Sequence, residues 1–212
     1  IGALVTALRS LGADIEYLGQ EGYPPLRIGP PQQFGKTSRQ VRIHGGTSSQ
    51  FLSALLMIGP CLPDGLELIP EGDLVSRPYL EMTLQLMRHF GALADWQGEH
   101  IVVEPGAYTP KKFTVEADWS AASYWYAMAA LAQSPDIRLK GLFADSWQGD
   151  AVLSRMMQSF GIQTVFEKTG IGYTARCTAT RTMAMPAAVC IGRTILTGVG
   201  VYTIVISSGA MF

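Results

Sequence analysis

Apolar residues recur at steps of three and four along three separate stretches of the chain, and each stretch stops at a glycine. This spacing predicts an amphipathic helix that ends where the backbone turns left-handed. A short run of strand character follows each glycine. The three stretches are "LVTALRSLG", "EMTLQLMRHFG" and "VLSRMMQSFG", which end at Gly12, Gly91 and Gly161.

A second pattern, of alternating strand-like residues, a polar turn and an apolar run, lies between these helices. It occurs in "VRIHGGTSSQFLSALL" and again in "FTVEADWSAASYWYAM", with Ser48 aligned to Ser120. Together the two patterns predict a strand–helix–strand–helix–strand–strand unit, a second unit over about residues 113–174, and the end of an earlier unit in 2–28. The pieces of the complete unit are predicted near residues 41–44, 49–59, 66–69, 78–90, 92–96 and 101–104.

Two further segments bear on the organisation of the chain. The stretch "EPGAYTPKK" (residues 104–112) has two prolines and two lysines and is the best candidate for a linker. The last eighteen residues carry no charge, but β-branched residues and glycines interrupt them. This composition favours a buried strand or misfit sequence over a transmembrane helix. Because the chain starts with Ile1 inside an apparent helix, we interpret it as a fragment.

Composition excludes several classes of function. The net charge of −1 provides no basic field for nucleic acid, so no nucleic-acid partner is expected. Three cysteines without CxxC spacing fit a reducing compartment, which predicts a cytoplasmic protein. The three histidines are scattered and form no ligand pair, so no metal site is expected.

Hydroxyl residues are concentrated at the predicted start of the first helix in the complete unit. Thr47 and Ser48 fall where a helix needs its N-cap, and a hydroxyl there can accept a hydrogen bond from an unpaired backbone N–H. The remaining N–H groups and the helix dipole favour an anion, and Ser49 and Gln50 add neutral donors. The residues alone leave two interpretations open, which are plain helix capping and an anion-binding site.

The second helix of the unit starts in a comparable way. In "GDLVSRPYLEMTL", Ser76 precedes Pro78, whose fixed φ suits a first helical turn, and Arg77 and Tyr79 flank that proline. A hydroxyl, a cation and a phenol could clamp a phosphorylated ligand, whereas an exposed arginine and a half-buried tyrosine are the alternative. Parallel-type connections would bring both helix starts to one edge of the sheet, which favours a site.

The segments "TSSQFLSALLM", "GDLVSRPYLEMTL", "VEADWSAASYWYAMAA", "QGD" and "EGYPPL" closely resemble the 5-enolpyruvylshikimate-3-phosphate synthase (3-phosphoshikimate 1-carboxyvinyltransferase) family. The resemblance covers roughly residues 1–170. It implies an α/β (α+β) fold of repeated βαβαββ units, the inverse α/β prism of the enolpyruvyl transferases, with two domains each partly present. Residues 1–108 would belong to the first domain and 109–175 to the second. Residues 176–212 are interpreted as a divergent tail, for which a shifted reading frame is favoured over a divergent terminus.

The resemblance also implies a reaction. The family transfers the carboxyvinyl group of phosphoenolpyruvate to the 5-hydroxyl of shikimate 3-phosphate and releases phosphate, using no metal or organic cofactor. Ser48, Ser49 and Gln50 would hold shikimate 3-phosphate, with Gln50 also close to phosphoenolpyruvate. Ser76 would bind on the phosphate side with Tyr79 nearby, and Asp118 would lie close to the interdomain cleft. The family enzyme is expected to be a monomer, whereas a fragment with uncovered apolar faces is expected to self-associate.

The chain departs from the family pattern where proton transfer is concerned. The family uses an Asp in a "PD" motif and a Lys-Glu-Thr-Asp-Arg segment, but here Pro186 is followed by no Asp and no carboxylate follows Glu167. Proton transfer requires a positioned acid and base, so this chain alone is expected to be inactive. Two alternatives are a UDP-N-acetylglucosamine 1-carboxyvinyltransferase, whose loop cysteine does not match Cys61 in "MIGPCLPDG", and an inactive phosphate-binding relic.

Overall fold

The computed structural model of the chain describes residues 1–30, 33–36, 38–169 and 172–179. The chain divides into two compact units, of which the first is Ile1–Lys112 and the second begins at Phe113. Most of the predicted tail, including Pro186, lies outside the described residues. No helix in the described part of the chain is long and apolar enough to cross a membrane.

The first unit contains a four-stranded sheet and three helices. The sheet has the order β3 (Gln40–His44), β4 (Leu66–Glu71), β6 (His100–Val103), β5 (Ala94–Gln97), in which β3 and β4 are parallel and the other neighbours are antiparallel. This arrangement confirms the predicted βαβαββ unit. The elements are α1 (Gly2–Ser10), β1 (Ile15–Tyr17), β2 (Leu26–Ile28), β3 (Gln40–His44), α2 (Ser49–Ile58), β4 (Leu66–Glu71), α3 (Arg77–His89), β5 (Ala94–Gln97) and β6 (His100–Val103).

The core of the first unit lies between one face of this sheet and the helices. Alternate residues of the strands point into it, as the two-residue period of a strand requires. The helices contribute residues at three- and four-residue spacing, so one apolar stripe of each helix covers the sheet. The cluster includes Val41, Ile43, Leu66, Leu68, Ile101 and Val103 of the strands and Leu52, Leu55, Leu56, Leu80, Leu84 and Met87 of the helices.

The predicted helix-ending glycines have left-handed backbone in all three repeats. The φ angles are 89° at Gly12, 91° at Gly91 and 79° at Gly161. After α3 the amide of Ala92 donates to the carbonyl of Met87 at 3.0 Å, and an equivalent bond of 3.0 Å follows α1. These bonds satisfy carbonyls that the end of a helix leaves unpaired. The three repeats therefore share a left-handed glycine at the helix end as well as a pattern of apolar residues.

Two arginines reinforce the equivalence of the first two repeats. Arg9 Nε donates to the carbonyl of Ile15 at 2.9 Å, and Arg88 Nε donates to the carbonyl of Ala94 at 2.8 Å. Each arginine lies in the last turn of its helix and bonds the first residue of the strand that follows. The side chain thus fixes the direction in which the chain leaves the helix.

The described part of the second unit contains one long helix and a three-stranded antiparallel sheet of order β7 (Asp136–Lys140), β9 (Gly172–Ala179), β8 (Ile162–Thr169). Its buried cluster is centred on Trp119 and Tyr126 of the helix. The last described strand ends at Ala179, so its final residues lie in the segment interpreted as the tail. The elements are α4 (Trp119–Leu131), β7 (Asp136–Lys140), α5 (Leu153–Met156), β8 (Ile162–Thr169) and β9 (Gly172–Ala179).

One predicted strand of the second unit is absent. Phe113 and Val115 are 40% and 83% exposed, and no strand is formed at residues 113–117. The segment instead contacts the end of β7 through one backbone bond, from Ala117 N to Gly141 O at 2.8 Å, while the Phe113 ring stacks on Trp147. The stacking of Phe113 on Trp147 therefore replaces the strand pairing that was expected for this segment.

The predicted helix before Gly161 is also less regular than its counterparts. Residues 149–160 form a 3₁₀ turn, the four-residue α5 and a second 3₁₀ turn. Ser154 Oγ donates to the carbonyl of Ala151 at 2.9 Å, and Ser159 Oγ donates to that of Met156 at 2.7 Å. Such back-bonding offers the carbonyls an alternative to the regular helical ladder, which accounts for the tighter turns.

Gly91→Ala should destabilise the first unit by about 1–2 kcal/mol, because an L-residue resists the left-handed conformation. An added Cβ would also lie 3.1 Å from Thr109 Oγ1. Gly106→Ala is the matched control, since its added Cβ meets nothing within 4 Å. Chemical denaturation of both variants measures the difference, and equal midpoints would contradict the proposed role of the glycine.

An ion pair between β7 and β9 makes stability depend on pH. Arg176 Nε and Nη2 donate to the two carboxylate oxygens of Asp136 at 2.8 and 3.0 Å. Mainly through its hydrogen bond, the Arg176 guanidinium lowers the pKa of the Asp136 carboxyl below its usual value. The pair therefore stabilises the fold above the unfolded pKa, near about 4, and this contribution is lost as the pH falls through the folded pKa.

Asp136→Asn should reduce the acid sensitivity of unfolding. The wild-type denaturation midpoint should fall more steeply below about pH 4 than that of the variant, because only the wild type has this carboxylate to protonate. Asp145→Asn, at an exposed position, serves as the control and should follow the wild-type curve. Parallel curves for Asp136→Asn and wild type would contradict this assignment.

Candidate functional site

The carboxyl ends of β3 and β4 lie side by side and place two helix starts at one edge of the sheet. His44 of β3 is in register with Glu71 of β4, and the amide of Gly45 donates to the carbonyl of Glu71 at 2.8 Å. A Cβ on Gly45 would lie 2.6 Å from the carbonyl oxygen of Asp73, so only glycine permits this close approach of the two loops. The loops leading into α2 and α3 are therefore in contact.

The start of α2 carries the hydroxyl residues that the sequence pattern singles out. Ser48 is the N-cap, with φ −49° and ψ 126°, but its side chain makes no capping hydrogen bond. Ser48 and Gln50 are exposed and Ser49 is half-buried. The plain-capping interpretation therefore does not describe Ser48. Its hydroxyl and the first N–H groups of the helix, which have no intrahelical acceptor, lie together at the end where the dipole favours an anion.

The start of α3 repeats this arrangement. Ser76 is its N-cap, again without a side-chain capping bond, and Pro78 occupies the first turn. Ser76 is half-buried and Tyr79 is 42% exposed. Because α2 and α3 follow adjacent parallel strands, Ser76 and Tyr79 lie at the same sheet edge as residues 48–50.

Arg77 is oriented differently from the other predicted residues. Its guanidinium lies over the ring of Trp96, 4.3 Å from the ring centroid, in a cation–π contact. Trp96 belongs to β5, which is at the opposite edge of the sheet from β3, and its Nε1 donates to Glu81 at 2.9 Å. The structure thus holds Arg77 on the β5 side of α3 and does not bring it towards α2.

Asp118 belongs to the second unit, where it is the N-cap of α4. Its Oδ1 accepts a hydrogen bond from the amide of Ser120 at 2.8 Å. The Ser120 hydroxyl in turn donates to Asp150 Oδ2 at 2.5 Å. Two carboxylates thus occupy the positive end of α4, which is electrostatically favourable and leaves this helix start unsuited to a bound anion. The predicted role of Asp118 near an interdomain cleft stays a prediction.

Sequence patterns did not indicate the role of Glu116, whose carboxylate is the centre of a hydrogen-bond network. Its Oε1 accepts from Trp119 Nε1 at 2.8 Å and from the amide of Phe143 at 2.7 Å. Its Oε2 accepts from Ser146 Oγ at 2.6 Å and from Gln148 Nε2 at 3.2 Å. One half-buried carboxylate therefore joins the start of α4 to the loop after β7.

A cavity of about 450 Å³ adjoins this network. Ser146 and Gln148 line it, and both bond Glu116, so its shape depends on the same contacts. No group of three or more potential metal ligands occurs among the described residues. Other lining residues are Ser154, Arg155, Thr164 and Phe166.

The model of one protein family, described as EPSP synthase (3-phosphoshikimate 1-carboxyvinyltransferase), matches residues 1–197. The chain belongs to the EPSP synthase family. Curated relatives carry the same enzyme name. One from Bacteroides fragilis is 51% identical over 172 residues, which is 81% of this chain and 41% of the relative. One from Neisseria gonorrhoeae is 42% identical over 169 residues, which is 78% of this chain and 38% of the relative.

A solved structure, the EPSP synthase from Acinetobacter baumannii, superposes with a TM-score of 0.61 at 21% identity. The match covers 84% of this chain and 39% of that structure, and it confirms the fold expected for the family. The chain spans about two fifths of the length of the curated relatives that it matches. These relatives do not favour the UDP-N-acetylglucosamine alternative.

Glu116→Gln should destabilise the second unit by about 2 kcal/mol, because an amide cannot accept all four of the hydrogen bonds and leaves partly buried donors unpaired. Glu99→Gln, in the exposed β5–β6 turn, is the control for the loss of one negative charge. Denaturation monitored by tryptophan fluorescence reports the difference. If both variants unfold at the same denaturant concentration, Glu116 does not have the stabilising role assigned here.

Proposed function

We propose that this chain is part of a cytoplasmic enzyme that transfers the carboxyvinyl group of phosphoenolpyruvate to the 5-hydroxyl of shikimate 3-phosphate. In this proposal, the starts of α2 and α3 bind the phosphate of shikimate 3-phosphate. The observation that carries the proposal is the family match over residues 1–197, together with two uncapped helix starts at one sheet edge. The free thiols of Cys61 and Cys177 agree with a reducing compartment.

The chemistry of the two helix starts supports phosphate as the group that is bound. Ser48, Ser49 and Ser76 offer hydroxyl donors, Gln50 offers an amide, and two helix dipoles point their positive ends at one edge. Neutral donors can bind a phosphate without a strong counter-ion that would slow its release. Of the nearby acidic residues, Glu71 lies 3.8 Å from Arg42 Nη1, which offsets its charge.

The proposed reaction assigns binding and proton transfer to different parts of the protein. The 5-hydroxyl oxygen gives its proton to a base and adds to C2 of phosphoenolpyruvate, while C3 gains a proton from an acid. The tetrahedral intermediate then loses a proton from C3 to a base, the bond between C2 and the phosphate oxygen breaks, and phosphate leaves. These steps need an acid and a base near the reacting carbon. The residues at the starts of α2 and α3 hold the substrate, and the groups that transfer protons are proposed to come from other parts of the family's length.

A second candidate is a binding protein that retains the phosphate site without turnover. The observation that favours it is the absence of any Asp or Glu after Glu167 in this sequence. Phosphate release from phosphoenolpyruvate in the presence of shikimate 3-phosphate, measured on a chimera in which a family relative supplies the rest of the enzyme's length, distinguishes the two candidates. We expect no release by the chain alone. Turnover by this chain would refute the expectation that it lacks the acid–base pair.

Shikimate 3-phosphate at millimolar concentration should shift the backbone NMR signals of residues 48–50 and 76–79, and shikimate without the phosphate should not. Gln50→Ala should weaken this binding about tenfold, because it removes a hydrogen bond to a charged group. Gln163→Ala, at an exposed position of β8, is the matched control. Shifts that avoid both helix starts, or equal affinities for the two ligands, would refute the proposed site.

A further inference from the structure

Two hydroxyl side chains are buried where α2 packs against α3. Ser53 and Thr83 are only 4% and 6% exposed, and their oxygens lie 2.9 Å apart. They account for two of the three buried polar residues in the described part of the chain. Their neighbours along each helix, such as Leu52 and Leu84, belong to the apolar core. A buried hydroxyl pair in such surroundings is costly unless each group is hydrogen-bonded, so its arrangement is informative.

The direction of these hydrogen bonds follows from the number of protons available. Thr83 Oγ1 donates to the carbonyl of Tyr79 at 3.0 Å. A hydroxyl has one proton, so the bond between the helices must use the proton of Ser53 and a lone pair of Thr83. The result is a directed chain from α2 through Thr83 to the backbone of Tyr79, which lies in the first turn of α3. This chain ties α2 to the part of α3 that contains the candidate site.

The pair lies on the same helix faces as two of the site residues, Ser49 and Ser76. Ser53 follows Ser49 by four residues and Thr83 follows Ser76 by seven, spacings that place them on common helix faces. At about 1.5 Å per residue, the pair lies about 7.5 Å below the N-cap of α2 and about 10.5 Å below that of α3. The hydroxyl bond thus fixes an offset of about 3 Å between the two helix starts along the helix axes. Any sliding of one helix along the other would change the distance between the two caps directly.

The small size of the pair also sets the lateral spacing. Helices in contact through short side chains approach to about 8 Å, the lower end of the usual range. Two hydroxyls that bind different oxygens of one tetrahedral phosphate, each through a hydrogen bond of about 2.7 Å, are themselves about 5–7 Å apart. The close approach that the short Ser53 and Thr83 side chains allow therefore favours a phosphate held by both the Ser48 and Ser76 starts.

We propose that Ser53 and Thr83 are positioning residues that hold the starts of α2 and α3 at the spacing a phosphate requires. The inference rests on the proposed function, because Ser53 and Thr83 would position the two helix starts that form the proposed phosphate site. An apolar pair of similar volume would pack as well but would allow the helices to slide. A slide of one residue is about 1.5 Å, well beyond the tolerance of about 0.5 Å for a preorganised site.

The test uses three variants of the 212-residue chain. Thr83→Val keeps the shape but leaves the Ser53 hydroxyl unpaired, so it should unfold at a lower denaturant concentration than the wild type. The double variant Ser53→Ala/Thr83→Val removes both partners and should unfold near the wild-type midpoint. Thr83→Ser retains the hydroxyl and is the conservative control. Two quantities are measured. One is the affinity for shikimate 3-phosphate from NMR titration, and the other is hydrogen exchange, without ligand, of the first hydrogen-bonded amides of the two helices, which are Phe51, Leu52, Tyr79 and Leu80.

The double variant separates positioning from stability. We expect it to bind shikimate 3-phosphate about tenfold more weakly than wild type despite its wild-type midpoint, with Thr83→Ser close to wild type. Its amides at both helix starts should also exchange faster. A double variant with wild-type affinity would overturn the proposal, since the pair would then be merely structural.

The exchange readout keeps this inference distinct from the proposed function. If the wild-type chain does not bind shikimate 3-phosphate at all, the proposed function fails for this chain. Faster exchange at both helix starts in the double variant would then still support the positioning role. Unchanged exchange at both starts would overturn it.

Discussion

The parallel pairing of β3 with β4 is the constraint on which the candidate site depends. Parallel neighbours end at the same edge of a sheet, so the helices that follow them must start there together. The contact between Gly45 and the carbonyl of Asp73 brings the two connecting loops against each other. Because α2 and α3 then run back over one face, their apolar stripes fill the core while their starts remain exposed. One backbone arrangement thus supplies both the core and the candidate binding edge.

The two units use helix dipoles in opposite ways. At α4 the side chain of Asp118 accepts from the helix backbone, and Ser120 recruits a second carboxylate from Asp150. The positive end of that helix is satisfied within the protein. At α2 and α3 the capping serines make no such bond, so the same partial charge is available to an external anion. A helix start whose capping side chain bonds the backbone is a structural cap, whereas one whose capping side chain makes no such bond is a candidate site. This difference in bonding is more informative than the type of residue at the cap.

Much of the first unit was predictable because its signals are local. Periodicity located the helices and strands of residues 40–103, and the glycine at each helix end anticipated the left-handed backbone later found at Gly12, Gly91 and Gly161. Contacts between distant residues were not predictable in this way. The stacking of Arg77 on Trp96 diverts a residue that the pattern assigned to the site, and Phe113 stacks on Trp147 where a strand was expected. The sequence gives little indication of the contact between Ser53 and Thr83. Each is a hydroxyl residue within the apolar stripe of a helix, and a hydroxyl at such a position usually has no functional role.

If the proposed phosphate site is made from a single repeat, substrate recognition and chemistry are separated along the chain. The proposed phosphate recognition needs only hydroxyls, an amide and two dipoles, and one βαβαββ unit carries all of these at its own sheet edge. Proton transfer to carbon needs groups of matched pKa placed against the reacting atom, and no such pair is formed by residues 48–50 with Ser76 and Tyr79. In a fold of repeated units, the second requirement can be met by a different repeat. A partial chain of this family can therefore retain the geometry for binding without the means for turnover.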